Sequence, residues 1–239
     1  MAGGGDMPRE IVTLQVGQCG NQIGRRFWGM ALAEHAGLQE GMQDGPLEQP
    51  PASAMAEAAG QMYDDSMSSF FHLCADGRTL KARAVLVDME EGPVSETLRG
   101  PLGGLFDGQQ LITDVSGAGN NFAHGHQFYG PQYAEGVLEA VRAAAEVCDS
   151  LQSFFLMHSL GGGTGSGLGT YLLGLLEDHF PRVHRFVSAV FPSPDDDVVT
   201  SPYNSMLALH QVGASGRASE RGESQSKRRG CHLPTRLYV

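Results

Sequence analysis

Residues 158–170 read HSLGGGTGSGLGT, and this run decides the fold. A short apolar stretch, SFFLM at 153–157, leads into it, and YLLGLLE at 171–177, apolar at helical spacing, leads out. Strand, glycine-dense turn and helix together gather backbone N–H groups around a phosphate. The glycines let the main chain approach an anion with no Cβ in the way. Ser159, Thr164 and Ser166 add hydroxyl donors, and a helix starting near Ser166 directs its positive end to the same place. Six glycines between Gly161 and Gly169 would weaken an ordinary helix or strand, so packing alone does not account for them. A flexible linker is the alternative, but linkers are not flanked by an apolar strand and an apolar helix.

The rest of the chain is long enough for one large α/β domain, or for a domain and a tail, in its 239 residues. Its 41% hydrophobic and 18% charged residues describe a globular domain. A net charge of −11 argues against a nucleic-acid partner, which would want a basic face. No run of eighteen apolar residues offers a membrane span, and MAGGGDMPRE at the start has no apolar signal core. Cys19, Cys74, Cys148 and Cys231 show no metal-ligand spacing, so free thiols in a reducing compartment are expected. Residues 212–239 hold six Lys/Arg against two Glu, whereas the first 211 hold ten against 25 acids. That shift from −15 to +4 marks a boundary. A flexible start (1–8), a nucleotide-binding domain (9–211) and a divergent, disordered tail (212–239) are expected.

Along the chain, IVTLQV at 11–16 reads as a strand closed by Gly17-Gln18-Cys19-Gly20. A helix over 21–35 follows, with Ile23, Phe27, Met30 and Ala31 inward. Residues 37–61 read as a long surface loop. A second strand at 82–87 ends in the acidic turn 88–92, with a short helix from Pro93 to Gly100, and a third occupies 111–115 before the turn 116–121. A helix spans 131–150, the fourth strand and the glycine turn come next, and a fifth strand lies at 185–191. An acidic loop at 192–200 leads into a helix over 203–211, capped at Ser201-Pro202. Strands alternating with helices imply a Rossmann-like parallel sheet covered on both faces, with its ligand over the carboxyl ends of the strands. All five turns leave that edge.

A Walker-type loop needs a lysine after its glycines, and the two lysines, Lys81 and Lys227, stand elsewhere. Phosphate charge must then be met by N–H dipoles and a metal. Glu90 is the first candidate for Mg²⁺ and Asp88 the second, unless both merely cap the following helix. A dinucleotide site would put GxGxxG after the first strand; GQCGNQ there fits badly. His124 and His126 flank a glycine without a third ligand nearby and read as surface loop; Trp28 and Phe27 read as core.

With these residues in place, the chain resembles the tubulin family. VGQCGNQIG at 16–24, RAVLVDMEEG at 83–92, GAGNNFAHGH at 117–126, GGGTGSG at 161–167 and SPYN at 201–204 occur in that family's order and spacing. The resemblance covers residues 9–211, and DMEEG together with VVTSPYN is most similar to the epsilon class. It implies a tubulin/FtsZ-type GTPase domain holding GTP and Mg²⁺. Carried over by position, Gln18 and Cys19 lie by the phosphates and base, and Glu90 at the metal and γ-phosphate. Asn120 donates toward the terminal phosphates. Ser159, Gly161, Gly162, Gly163, Thr164 and Gly165 cradle the diphosphate, and Asp197 sits near the ribose. Ser201 stands where most of the family has a sugar-contacting glutamate.

The resemblance also implies a cytoskeletal role in microtubule, centriole and basal-body organisation, with cytoplasmic or centrosomal localisation and other tubulins as partners. Family members run to roughly twice this length. The chain is therefore expected to be a truncated form, its sheet incomplete on the C-terminal side. The base-reading helix, two asparagines and the hydrolytic domain are missing, and no catalytic residue is assigned. Losing one stack and its hydrogen bonds would weaken nucleotide binding by about 2–4 kcal/mol. An interaction module that binds or caps tubulin partners without hydrolysis is the alternative.

Overall fold

The computed structural model describes residues 9–35, 63, 67–193, 196–226 and 235–238; for 35, 216–226 and 235–238 it describes the backbone alone. In chain order the elements are β1 (Glu10–Val16), α1 (Gly17–His35), a hairpin of β2 (Phe71–Leu73) and β3 (Leu80–Ala82), β4 (Ala84–Asp88), α2 (Glu91–Arg99) and β5 (Leu111–Thr113). Then come α3 (Gly130–Glu146), β6 (Leu151–Ser159), α4 (Gly169–His179), β7 (His184–Val190), α5 (Ser201–Ser226) and β8 (Thr235–Tyr238).

The main sheet has the order β5-β4-β1-β6-β7-β8, and every pairing in it is parallel. β1 is central: Val12 to Val16 are all buried, as a strand covered on both faces requires. Alternate residues serve opposite cores. Val85 and Val87 join Val12, Leu14, Phe154 and Leu156 against Val137 and Val141 of α3 and Leu172 and Leu176 of α4. Ala84 and Leu86 face the other way, onto Trp28 and Leu32 of α1, Val94 of α2 and Phe71 of the hairpin. This is the doubly wound α/β architecture the spacing predicts. No described helix is long and apolar enough to cross a membrane.

Four readings change. α1 starts at Gly17, directly off the strand, and Met30 is 59% exposed whereas Trp28 and Leu32 are buried. The buried stripe passes through Gly24, where an added Cβ would lie 2.0 Å from the Gln15 Oε1. A glycine, and not a large apolar residue, marks the side on which α1 rests on the sheet. The strand expected at 82–87 divides at Arg83 into β3 and β4. There the Arg83 carbonyl accepts the Thr13 N–H at 2.9 Å, while its guanidinium pairs with the buried Glu10 carboxylate at 2.5 Å. α5 continues to Ser226 instead of ending near 211. The β7 edge, on the side where the sheet is expected to be incomplete, pairs with β8 from Arg185↔Thr235 to Ser188↔Tyr238. The loop expected at 37–61 lies outside the described residues.

Candidate functional site

At the carboxyl ends of the strands, five turns meet. The closeness of their backbones is measured by what a side chain at each glycine would strike. A Cβ on Gly17, whose φ is +73°, would lie 2.9 Å from the Gly165 N, joining the β1 turn to the glycine turn. On Gly117 it would lie 2.1 Å from the Glu90 Oε1. On Gly163 it would lie 2.6 Å from the Asn121 N, and on Gly161 3.1 Å from the Ser201 Oγ. The segments 17–21, 88–92, 117–121, 159–165, 192–193 and 196–201 thus line one region. None of them carries a lysine or arginine.

Polar side chains hold these turns to one another. The buried Asn21 amide donates to the Gly17 carbonyl at 3.0 Å and to the Val87 carbonyl at 3.2 Å, tying the start of α1 to the end of β4. Asn204, buried at the start of α5, donates to the carbonyls of Asn120 and Gly161, both at 2.8 Å, and accepts the Phe122 N–H at 3.0 Å. Thr200 Oγ1 adds a second donor to the Asn120 carbonyl at 2.7 Å. Asn121 Oδ1 accepts the Ala123 N–H at 2.9 Å, closing the turn onto the wide π-turn His124–Tyr129 that opens α3.

Within the glycine turn, the His158 Nδ1 lies 2.8 Å from the Gly165 carbonyl and 3.2 Å from the Ser159 carbonyl. Two carbonyl acceptors require the proton on Nδ1, which leaves Nε2 a buried acceptor with no donor among the described residues. Burial pulls the His158 imidazole down to about 4, so it is neutral near pH 7. Ser166 is a correction. It is fully buried and its hydroxyl donates to the Gly162 carbonyl, bracing the π-turn Thr164–Leu168 instead of facing a ligand. What remains for a ligand is backbone. Among the described residues, the N–H groups of Gly161, Gly162 and Gly163 meet no protein acceptor, nor do those of Gly119 and Asn120. Gly161 and Gly163 are buried, where N–H groups normally find partners, so their unpaired N–H groups suit an anion; Gly119 and Asn120 are exposed and open to solvent.

The acidic turn supplies the opposite charge. Asp88 is buried, and its Oδ2 has no hydrogen-bond partner among the described residues. Burial raises its carboxyl to about 7; the Glu90 and Met89 N–H groups oppose that rise, while the Glu90 charge adds to it. Glu90 is exposed, with its carboxylate against Gly117. Among the described residues no cluster of three or more His, Cys, Asp or Glu could hold a metal alone. A pair of neighbouring carboxylates nevertheless suits a hard divalent cation, whose remaining ligands phosphate and water would supply.

The other expected residues fall as follows. Gln18 is exposed and Cys19 half-buried in the first turn of α1, and burial raises the Cys19 thiol. Ser159 and Thr164 are half-buried on the glycine turn, and Asn120 is exposed with a left-handed φ of 51°. Asp197 is exposed; its neighbour Asp196 accepts the Ser201 hydroxyl at 2.6 Å, which holds that carboxyl below its usual range. His124 and His126, expected in a surface loop, stand instead on the π-turn His124–Tyr129, where His126 stacks on Phe122 and His124 on Phe128. Asn21, His158 and Asn204 were missed as site-building residues. Asn21 and Asn204 each lie inside a quoted motif, and the signal was a polar residue in the opening turns of a helix that follows a strand end.

A parallel α/β domain whose glycine turn and acidic turn meet at its strand ends has the architecture of the nucleotide-binding α/β folds. The profile described as the Tubulin/FtsZ family, GTPase domain, matches residues 10–216, and the chain belongs to that family. It is 54% identical over 217 residues to the mouse tubulin epsilon chain and 51% identical to the human one, covering 85% of this chain and 42% of each relative. A maize tubulin beta-4 chain is 40% identical over 205 residues, 85% of this chain and 43% of its own length. The chain thus spans less than half the length of the curated relatives it matches.

Proposed function

We propose that this chain binds a guanine nucleotide, phosphates inward, in the concavity formed by its strand-end turns. The N–H groups of residues 161–163, which meet no protein acceptor, on a turn that abuts 117–121 at Gly163, carry this reading. Gly161, Gly162, Gly163, Thr164, Gly165 and Ser159 cradle the diphosphate, Asn120 faces the terminal phosphates, Gln18 and Cys19 border the phosphates and base, and Asp197 lies toward the ribose. Glu90, with Asp88 behind it, would hold Mg²⁺, which screens phosphate charge where the turns offer no cationic side chain. Family membership supports a cytoskeletal role with other tubulins as partners, at microtubules, centrioles and basal bodies.

Thermal melting with GTP, ATP or NAD, each with and without Mg²⁺, tests the reading. GTP is expected to raise the melting temperature, with a further rise on adding Mg²⁺. Glu90→Gln is expected to abolish the Mg²⁺-dependent increment while keeping the fold. Stabilisation by NAD and not by GTP would overturn it.

A further inference from the structure

The SPYN motif has no ligand role in the reading above, yet its last residue is the most connected side chain of the site. Asn204 is 4% exposed and sits four residues into α5. It meets one donor, the Phe122 N–H, and two acceptors, the Asn120 and Gly161 carbonyls. That set matches an amide in one orientation: the oxygen takes the N–H, and the two NH₂ protons take the carbonyls. Both amide protons and one lone pair of the oxygen are therefore taken by the protein, so Asn204 has no donor left for a phosphate.

The two segments it joins are the ones whose backbone N–H groups meet no protein acceptor among the described residues. In each, Asn204 grips a carbonyl or an adjoining amide, fixing which way the neighbouring peptide groups point. At Asn120 the grip matters most. The residue is left-handed, a conformation asparagine tolerates but does not prefer. Its carbonyl is held by two donors from one segment, Thr200 Oγ1 and Asn204 Nδ2. At Gly161 the flexible start of the glycine turn is held by the same amide.

We infer that Asn204 is a positioning residue: without touching nucleotide, it clamps the 117–122 turn to the glycine turn and sets the spacing of the phosphate cradle. Because it orients the amides, its effect falls on the phosphate part of any ligand. The inference rests on the nucleotide-binding reading.

The test titrates wild type, Asn204→Ala and Asn204→Asp with GTP, guanosine and pyrophosphate, each with Mg²⁺, and follows hydrogen exchange over residues 118–124. Asn204→Asp keeps shape and the acceptor for Phe122 but removes both donors, so it serves if the alanine variant folds poorly. Val141→Ala, in the α3 core, controls for general loss of stability. The expected result is a loss of about 10- to 100-fold for GTP and for pyrophosphate alike, the size of one or two hydrogen bonds. Guanosine binding stays unchanged, and exchange over 118–124 accelerates even at saturating ligand. A shift in pyrophosphate affinity no larger than that of Val141→Ala, or unchanged exchange over 118–124, would overturn the inference alone. If wild type itself binds neither GTP nor pyrophosphate, the nucleotide reading fails and takes this inference with it.

Discussion

Replacing Gly163 by alanine places a methyl group 2.6 Å from the Asn121 nitrogen, 2.8 Å from the Ala118 Cβ and 3.0 Å from the Ala118 carbonyl oxygen. Two of those three atoms are backbone of a turn that is itself hydrogen-bonded, so the clash is relieved only by parting the two turns. Overpacking of this kind costs about 1–3 kcal/mol. In a domain of this size each kcal/mol moves the melting point by about 2–4 °C, so a drop of roughly 2–12 °C is expected. Gly162→Ala is the matched control. Its nearest neighbour beyond the adjoining residues would be the Ser159 Oγ at 3.5 Å, an ordinary contact, and neither glycine has a positive φ. It should melt within about 1 °C of wild type, since substitutions away from such clashes cost under roughly 0.5 kcal/mol. Calorimetry on the nucleotide-free protein reads both, and adding GTP with Mg²⁺ should widen the gap between them. If the two variants melt together, or Gly162→Ala melts lower, the 117–121 turn does not pack on Gly163 as described.

Two further outcomes concern the buried charges. The His158 imidazole, near 4 when folded against an ordinary 6.5, is protonated more readily in the unfolded chain. Its contribution is fully present above pH 6.5 and is lost as pH falls toward 4, amounting to about 2 kcal/mol at pH 5. Urea unfolding at pH 7.5 and 5 should show wild type losing that much more than His158→Asn, whose amide can still donate to the Gly165 carbonyl; equal losses would refute it. At the other end of the sheet, Arg83→Met strands the buried Glu10 carboxylate and should cost about 3–5 kcal/mol, with Glu10→Leu added to it recovering part. A double variant no more stable than the single would show that the stranded charge is not the cause.

The parallel sheet and the edge at which its turns gather were legible because the strands are short apolar runs ending in glycine or acid clusters, and that pattern survives without knowledge of contacts. Gly161 to Gly165 could be placed at the centre for the same reason. What was not legible depends on three-dimensional proximity. Ser166 looks like a donor in a glycine-rich turn, but its hydroxyl is spent on Gly162, four residues back. The inward side of α1 was misjudged at Met30 because Gly24, with nothing to bury, marks it. Asn204 is 84 residues from Asn120 and 43 from Gly161, so no local rule could connect them. Thr235–Tyr238 lies in a polar, basic segment with no alternation strong enough to announce a strand, and it is defined by the β7 backbone beside it.

The π-turns His124–Tyr129 and Thr164–Leu168 interlock: a methyl on Gly125 would come within 2.4 Å of the Gly163 oxygen, and one on Gly167 within 2.3 Å of the Phe122 oxygen. Anyone building chimaeras from related domains therefore has to exchange both segments as a matched set. A graft of one alone imports a curvature its host counterpart was not shaped to receive.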